Sequence, residues 1–133
     1  MTALTLTIRI PGRLDPDLSP NARVHHMRRY RATKAAREAG YYAAVAEYQA
    51  GRDDGTGVRF RYDVTIGLAK GEKRKDDDNA AAMLKSLRDG IADGLGLPSD
   101  RGLVAGTVEQ VRDVEGIGFV EFILTDITSE AAA

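Results

Sequence analysis

The stretch from Lys70 to Asn79 reads Lys-Gly-Glu-Lys-Arg-Lys-Asp-Asp-Asp-Asn and sets a block of cations directly before a block of carboxylates. Like charges this close repel one another, at a cost that charges scattered over a surface avoid. Cationic side chains bind phosphate oxygens, and carboxylates hold divalent metal ions. A phosphodiester beside a bound metal ion is therefore the ligand that would satisfy both blocks.

Two of the carboxylates, Asp76 and Asp78, are two residues apart. In an extended segment that spacing puts both on one side of the chain, where they suit Mg²⁺ or Mn²⁺. Asp100 is a candidate third ligand, which reaches the site through its own loop or comes from a partner chain. The competing interpretation is that the aspartates only cap the helix that follows, with Asp78 or Asn79 as its N-cap.

A second basic region lies near the N-terminus, between Arg23 and Arg37, and contains no acidic residue. The net charge of the chain is only −1, so we expect one strongly positive face on a protein that is neutral as a whole. The competing interpretation is an ordinary solvated surface. The residues predicted to contact DNA in the two basic regions are Asn21, Arg23, His26, Arg28, Arg29, Arg31, Lys73, Arg74 and Lys75. Within this set His26, like its neighbour His25, is placed in a loop.

Composition excludes several classes of protein. The chain has 133 residues, 43% hydrophobic and 29% charged, as expected for one globular domain over residues 1–133. It has no cysteine, which excludes disulfides and fits a cytoplasmic location. No apolar run is long enough for a membrane span, and the alternating start does not resemble a signal peptide. EF-hand, P-loop and His-Glu-x-x-His motifs are absent from the sequence.

Hydrophobic periodicity predicts the elements that position these residues. Alternation predicts strands over 3–10 and 58–68, and the second runs straight into the charged blocks. An alanine-rich segment predicts a helix over 30–49, and apolar residues from Ala80 to Ile91 predict an amphipathic helix after the aspartates. Residues 11–24 and 51–57 read as loops. Residues 104–112 and 117–125 are predicted to form a hairpin.

The order of these elements is β-α-β-α-β-β. It predicts an α+β domain with a mixed sheet of about four strands and two main helices on one face. Lys85 and Asp89 lie four residues apart on the second helix, so they share one face of it. For that pair the simplest interpretation is a surface ion pair, worth about 0.3–0.5 kcal/mol.

Four motifs follow one another along the chain: the loop Leu18-Ser-Pro-Asn21, then Lys75-Asp-Asp-Asp-Asn79, then Lys85 with Asp89-Gly90, and then Leu97-Pro-Ser-Asp100. Together they resemble the RusA-type Holliday junction resolvases. The resemblance spans the chain from about Leu4 to Phe122. The interval from Asn79 to Lys85 is longer than in the best-known form of the motif, and Ser99 stands where a carboxylate often precedes the third ligand.

The resemblance implies a homodimeric, Mg²⁺-dependent endonuclease that cuts four-way DNA junctions by paired symmetric nicks in recombination and repair. It implies that Asp76, Asp78 and Asp100 bind the metal, with Mn²⁺ as a possible substitute. It further implies that Lys85 assists catalysis, that Asn79 orients the ligands and that Asp89 supports Lys85. Two alternatives stay open: a DNA-binding protein selective for branched structures without useful catalysis, and a Mg²⁺-dependent phosphoryl-transfer enzyme for a small substrate.

Overall fold

Four strands and three helices follow one another in the computed structural model, which describes residues 5–48, 59–97 and 102–128. Strand β1 is Thr5–Pro11, followed by a 3₁₀ turn at Pro16–Leu18 and helix α1 at His26–Glu47. Strand β2 is Phe60–Leu68, and helices α2 and α3 are Asp77–Met83 and Lys85–Gly94. Strands β3 and β4 are Leu103–Arg112 and Phe119–Asp126.

The strands form one mixed sheet in the order β1-β4-β2-β3. Strand β4 pairs antiparallel with both β1 and β2, whereas β3 pairs parallel with β2. The predicted hairpin of β3 and β4 is therefore wrong, because β2 lies between them. The connection from Asp113 to Gly118 passes over the end of β2. There the backbone N–H of Asp113 donates to the Leu68 carbonyl, and the backbone N–H of Lys70 donates to the Gly116 carbonyl.

These pairings bring three strand ends together at one edge of the sheet. Strands β1 and β2 both run antiparallel to β4, and β3 runs parallel to β2, so β1, β2 and β3 all end at the same edge. The segments that follow β1 and β2 therefore meet there, beside the last residues of β3. This edge is called the site edge below.

One face of the sheet carries the core. Alternate residues of β2, from Phe60 to Leu68, are buried, and Phe122 of β4 and Ile8 of β1 lie on the same face. Leu87 and Ile91 of α3 join this cluster, with the alanines of α1 packed at its margin. The predicted α+β class with a four-stranded mixed sheet is confirmed. The two predicted helices correspond to α1 and to the consecutive helices α2 and α3.

Helices α1 and α3 cross at very short range because glycines line their contact. A Cβ on Gly90 would lie 2.0 Å from the Arg37 carbonyl oxygen, and one on Gly40 would lie 2.3 Å from that of Leu87. Both distances are far inside van der Waals contact. The glycines are therefore required by the packing, although glycine weakens a helix interior.

The helices differ from the prediction at their boundaries. Helix α1 begins at His26 rather than at residue 30, since the His25 side chain caps it by accepting from the Met27 N–H at 3.1 Å. The second predicted helix is divided at Leu84, whose N–H bonds back to Ala81 as in a tighter turn. The predicted connector 51–57 lies outside the described residues. Within the described ranges, no helix combines the length and the apolar character needed to cross a membrane.

Candidate functional site

The acidic motif lies at the site edge, at the start of α2. Asp76 is the N-cap residue, in an extended conformation with φ −60° and ψ 149°, and Asp77 and Asp78 form the first helical turn. All three are exposed. The predicted N-cap of Asp78 or Asn79 is wrong by two or three residues. The extended geometry predicted for Asp76 and Asp78 is also wrong, because Asp78 is already helical.

Asn79 connects the acidic motif to the loop after β1. Its Oδ1 accepts a hydrogen bond from the Ser19 hydroxyl at 2.9 Å, and Ser19 Oγ accepts from the Asn21 N–H at 3.2 Å. The sequence identified both segments as parts of one motif but could not show that they touch. In the structure Asn79 orients Ser19, and Asn21 lies exposed beside it.

The basic block is held in a fixed shape from β3. The buried Gln110 side chain accepts from the Lys75 N–H and donates to the Lys75 carbonyl, both at 2.8 Å. Arg112 Nη1 donates to the carbonyls of Ala69 and Glu72, both at 2.7 Å. Backbone polar groups that a loop would otherwise leave to water are satisfied by these two side chains. The segment from Ala69 to Asp76 is therefore a positioned structure.

Glu72 is the buried acid at the centre of this segment and is 3% exposed. Its carboxylate accepts from Lys75 Nζ and from the Ala69 N–H, and Arg13 Nε lies 3.9 Å away. Burial alone would raise the pKa of Glu72, but the hydrogen bonds from Lys75 and Ala69 and the two nearby cations outweigh it. The pKa of Glu72 is therefore held below its ordinary value, and the carboxylate is charged at neutral pH.

Sequence reasoning missed Glu72, Gln110 and Arg13. A lone acid inside a run of bases was the one signal available for Glu72. Gln110 and Arg13 are distant in sequence from residues 70–79, and no motif around either of them indicated a role in the site.

A groove of about 510 Å³ opens over this segment. Its lining combines four cations with two carboxylates and the Asn79 amide; the residues are Arg13, Gly71, Glu72, Lys73, Arg74, Lys75, Asp76 and Asn79. Lys73 and Arg74 are exposed, whereas the Lys75 side chain is 11% exposed and its ammonium is bonded to Glu72. The groove thus offers cations to an anion directly beside Asp76.

Lys85 lies outside this groove. Its Nζ is 3.3 Å from Asp89 Oδ2, which confirms that the two residues share a helix face. Arg88 Nη2 lies 3.3 Å from the other oxygen of Asp89, and Arg88 Nη1 lies 3.5 Å from the Tyr62 hydroxyl. Lys85 and Arg88 line a separate cavity beside Ala105 and Val108 of β3. Lys85 thus lines a different cavity from the groove that Asp76 lines.

The N-terminal basic residues belong largely to α1 rather than to a loop, which corrects the placement of His26. Arg28 pairs with Asp17 at 3.1 Å. Arg29 donates to the carbonyls of Ser19 and Ala22, so its guanidinium fixes the loop after β1. Arg23 and Arg31 are exposed, as is His26, whose ring lies 4.2 Å from that of His25.

The third predicted metal ligand, Asp100, lies outside the described residues. Strand β3 begins at Leu103, which pairs with Phe60 at the sheet edge opposite the site edge. Among residues 5–48, 59–97 and 102–128 there is no group of three or more His, Cys, Asp or Glu that could hold a metal ion. Asp76 and Asp78 are oxygen donors of the kind that Mg²⁺ prefers, so their chemistry fits the ion while the set stays incomplete in this part of the chain.

No protein-family model matches the chain. A protein of Xylella fastidiosa (strain Temecula1 / ATCC 700964), described as "Uncharacterized protein", is 37% identical to it over 129 residues. The match covers 96% of this chain and 80% of the relative. Identity of this extent over nearly the whole chain shows common descent, and the chain belongs to the same family as this Xylella protein.

Proposed function

We propose that this chain is a metal-dependent endonuclease that resolves four-way DNA junctions by paired symmetric nicks. The observation that carries the proposal is the groove at the site edge, where Lys73 and Arg74 stand exposed beside Asp76. Cations next to a carboxylate suit a phosphodiester with a bound metal ion. Gln110 and Arg112 hold this segment in one conformation, which an ordinary solvated surface would not require.

In this proposal Asp76 and Asp78 would hold Mg²⁺, with Mn²⁺ as a substitute. Asp100 would complete the ligand set through its own loop or from the partner chain. The bound ion would supply an activated water and charge stabilisation for the leaving oxygen. The chain's own side chains do the rest. Lys73 and Arg74 bind the phosphodiester backbone. Asn79 holds the loop that contains Ser19 and Asn21 against the acidic motif. Arg23, His26 and Arg31 extend the positive surface along the start of α1.

Lys85 assists at the phosphate from the neighbouring cavity, with Asp89 holding its ammonium. A homodimer would present two such sites, and its twofold symmetry would match that of a junction, so that the nicks fall on opposite strands. The biological setting proposed is recombination and repair of DNA in the cytoplasm.

The second candidate is a DNA-binding protein selective for branched structures that does not cut them. It is favoured by the same cationic groove, which would bind DNA backbone without any metal. A Mg²⁺-dependent transferase for a small substrate ranks last, since no nucleotide-cradling loop occurs in the sequence.

A nicking assay separates these candidates. Purified protein is mixed with a labelled synthetic four-way junction or a linear duplex of matching sequence, in Mg²⁺, Mn²⁺ or EDTA. The proposal predicts paired nicks in the junction, dependent on metal and absent from the duplex. A junction that is bound but stays intact in both metals supports the binding protein instead.

A further inference from the structure

Arg13, in the segment after β1, lines the groove, although the sequence analysis assigned it no role. It lines the groove together with Lys73, Arg74 and Asp76, and its side chain is 47% exposed. Its chain position is far from the basic block. The two segments meet because β1 and β2 end at the same edge of the sheet.

The backbone of Arg13 is fixed by close packing against the start of β4. Gly12 N–H donates to the Gly118 carbonyl at 3.0 Å. Gly118 has φ +94°, and a Cβ there would lie 3.0 Å from the Arg13 nitrogen and 3.1 Å from its Cα. Only glycine allows this approach without strain. The position of Arg13 is therefore set by the sheet and not by a freely moving loop.

Arg13 and Lys75 share the Glu72 carboxylate unequally. The Lys75 ammonium is bonded to Glu72 and nearly buried, with 11% of its side chain exposed. The Arg13 guanidinium stands 3.9 Å from the same carboxylate, too far for a hydrogen bond, and remains half-exposed. Its planar set of N–H donors can therefore face a ligand in the groove, and such a set matches phosphate oxygens in pairs.

We infer that Arg13 is a phosphate-binding residue that holds a DNA backbone phosphate in this groove, beside the phosphodiester at Asp76. The inference rests on the proposed function, since it takes DNA as the ligand. In this inference the inner cation, Lys75, stabilises the fold through Glu72. The outer cations, Arg13, Lys73 and Arg74, bind the DNA. Free phosphate has the same chemistry, and the test below distinguishes it from DNA.

The test is a titration of labelled four-way junction by fluorescence anisotropy at several salt concentrations, in EDTA so that nothing is cut. Wild type, Arg13→Ala, Arg13→Lys and Arg9→Ala are compared. Arg9 is the matched control, because it stands on β1 with a 55% exposed side chain, pairs with Glu121 and lies outside the groove lining. Thermal melting checks that each variant is folded, and Arg13→Gln replaces the alanine variant if that one is not.

The inference predicts that Arg13→Ala weakens junction binding about tenfold near 0.1 M salt. The negative slope of log K against log salt should decrease in magnitude by about 0.9. Arg13→Lys should restore most of the slope, and Arg9→Ala should leave it unchanged. An unchanged slope in a folded Arg13→Ala variant overturns the inference while the proposed function stands. A wild type that binds no DNA, or whose Arg13-dependent site takes inorganic phosphate equally well from competing buffer, overturns both.

Discussion

At the scale of single residues, a buried carboxylate organises a surface that is built from cations. Glu72 draws in the Lys75 ammonium and leaves Lys73 and Arg74 outside. Breaking a buried ion pair by removing one partner is strongly destabilising, because the other charge stays buried without compensation. Glu72 was not predictable as a central residue, since its burial depends on a loop that Gln110 and Arg112 hold from a strand much later in the chain.

We expect Glu72→Gln to lower the free energy of unfolding by about 3 kcal/mol, the lower end of the range for a broken buried pair. The variant keeps the shape of the side chain but leaves Lys75 without its counter-charge. Urea denaturation followed by circular dichroism measures the loss. Glu109→Gln is the control, because Glu109 lies exposed on β3 and should change stability little. A loss below about 1 kcal/mol would contradict the role given to Glu72.

The same carboxylate makes stability depend on pH in acid. The folded pKa of Glu72 is lowered from its ordinary value of 4.5, so its stabilising contribution is present above pH 4.5 and is lost as pH falls through the folded pKa. Asp63 behaves alike, because the Thr107 N–H at 2.8 Å holds its pKa below 3.8. Denaturation measured from pH 7 to pH 3 should show stability falling below pH 4.5, with a shallower fall in Glu72→Gln. Equal pH dependence in both proteins would show that Glu72 is not the source of the loss of stability in acid.

At the scale of elements, hydrophobic alternation predicted which residues β1 and β2 bury but not which strands they pair with. Strand β2 was predictable because its alternate residues from Phe60 to Leu68 are buried on one face. The same signal placed β3 and β4 correctly along the chain. Their short connection suggested a hairpin, but it crosses the end of β2 instead, and strand order depends on long-range packing that no local pattern records.

Helix packing gives a prediction that contradicts helix propensity. Replacing glycine by alanine in a helix interior ordinarily stabilises by about 1 kcal/mol. At Gly90 the new Cβ would meet the Arg37 carbonyl of α1 at 2.0 Å, so the helices must separate. We expect Gly90→Ala to lose about 1–3 kcal/mol of unfolding free energy, measured by urea denaturation.

Ala35→Gly on the exposed side of α1 is the control for this measurement. It should lose only about 1 kcal/mol, from propensity alone. A Gly90→Ala variant more stable than wild type would show that α1 and α3 do not cross as closely as described.

At the scale of the whole molecule, the fold explains how dispersed charged residues reach one place. Three parallel strand ends converge on the site edge, and with them come Arg13, the basic block and Gln110. The charge pattern identified the acidic and basic blocks from sequence alone. The sequence did not show that the helix divides at Leu84, nor that Lys85 lines a cavity other than the groove, since both depend on how the helices pack on the sheet.

The most direct test of the proposed endonuclease is to measure binding and cleavage of the same four-way junction by Asp78→Asn. The exposed carboxylate is replaced by its neutral isostere, so the groove and the fold should remain intact. The proposal predicts metal-dependent paired nicks by wild type and a loss of at least about a hundredfold in the variant, with junction affinity unchanged or slightly stronger. An Asp78→Asn variant that cuts the junction at the wild-type rate would contradict the assignment of this site as a nuclease centre.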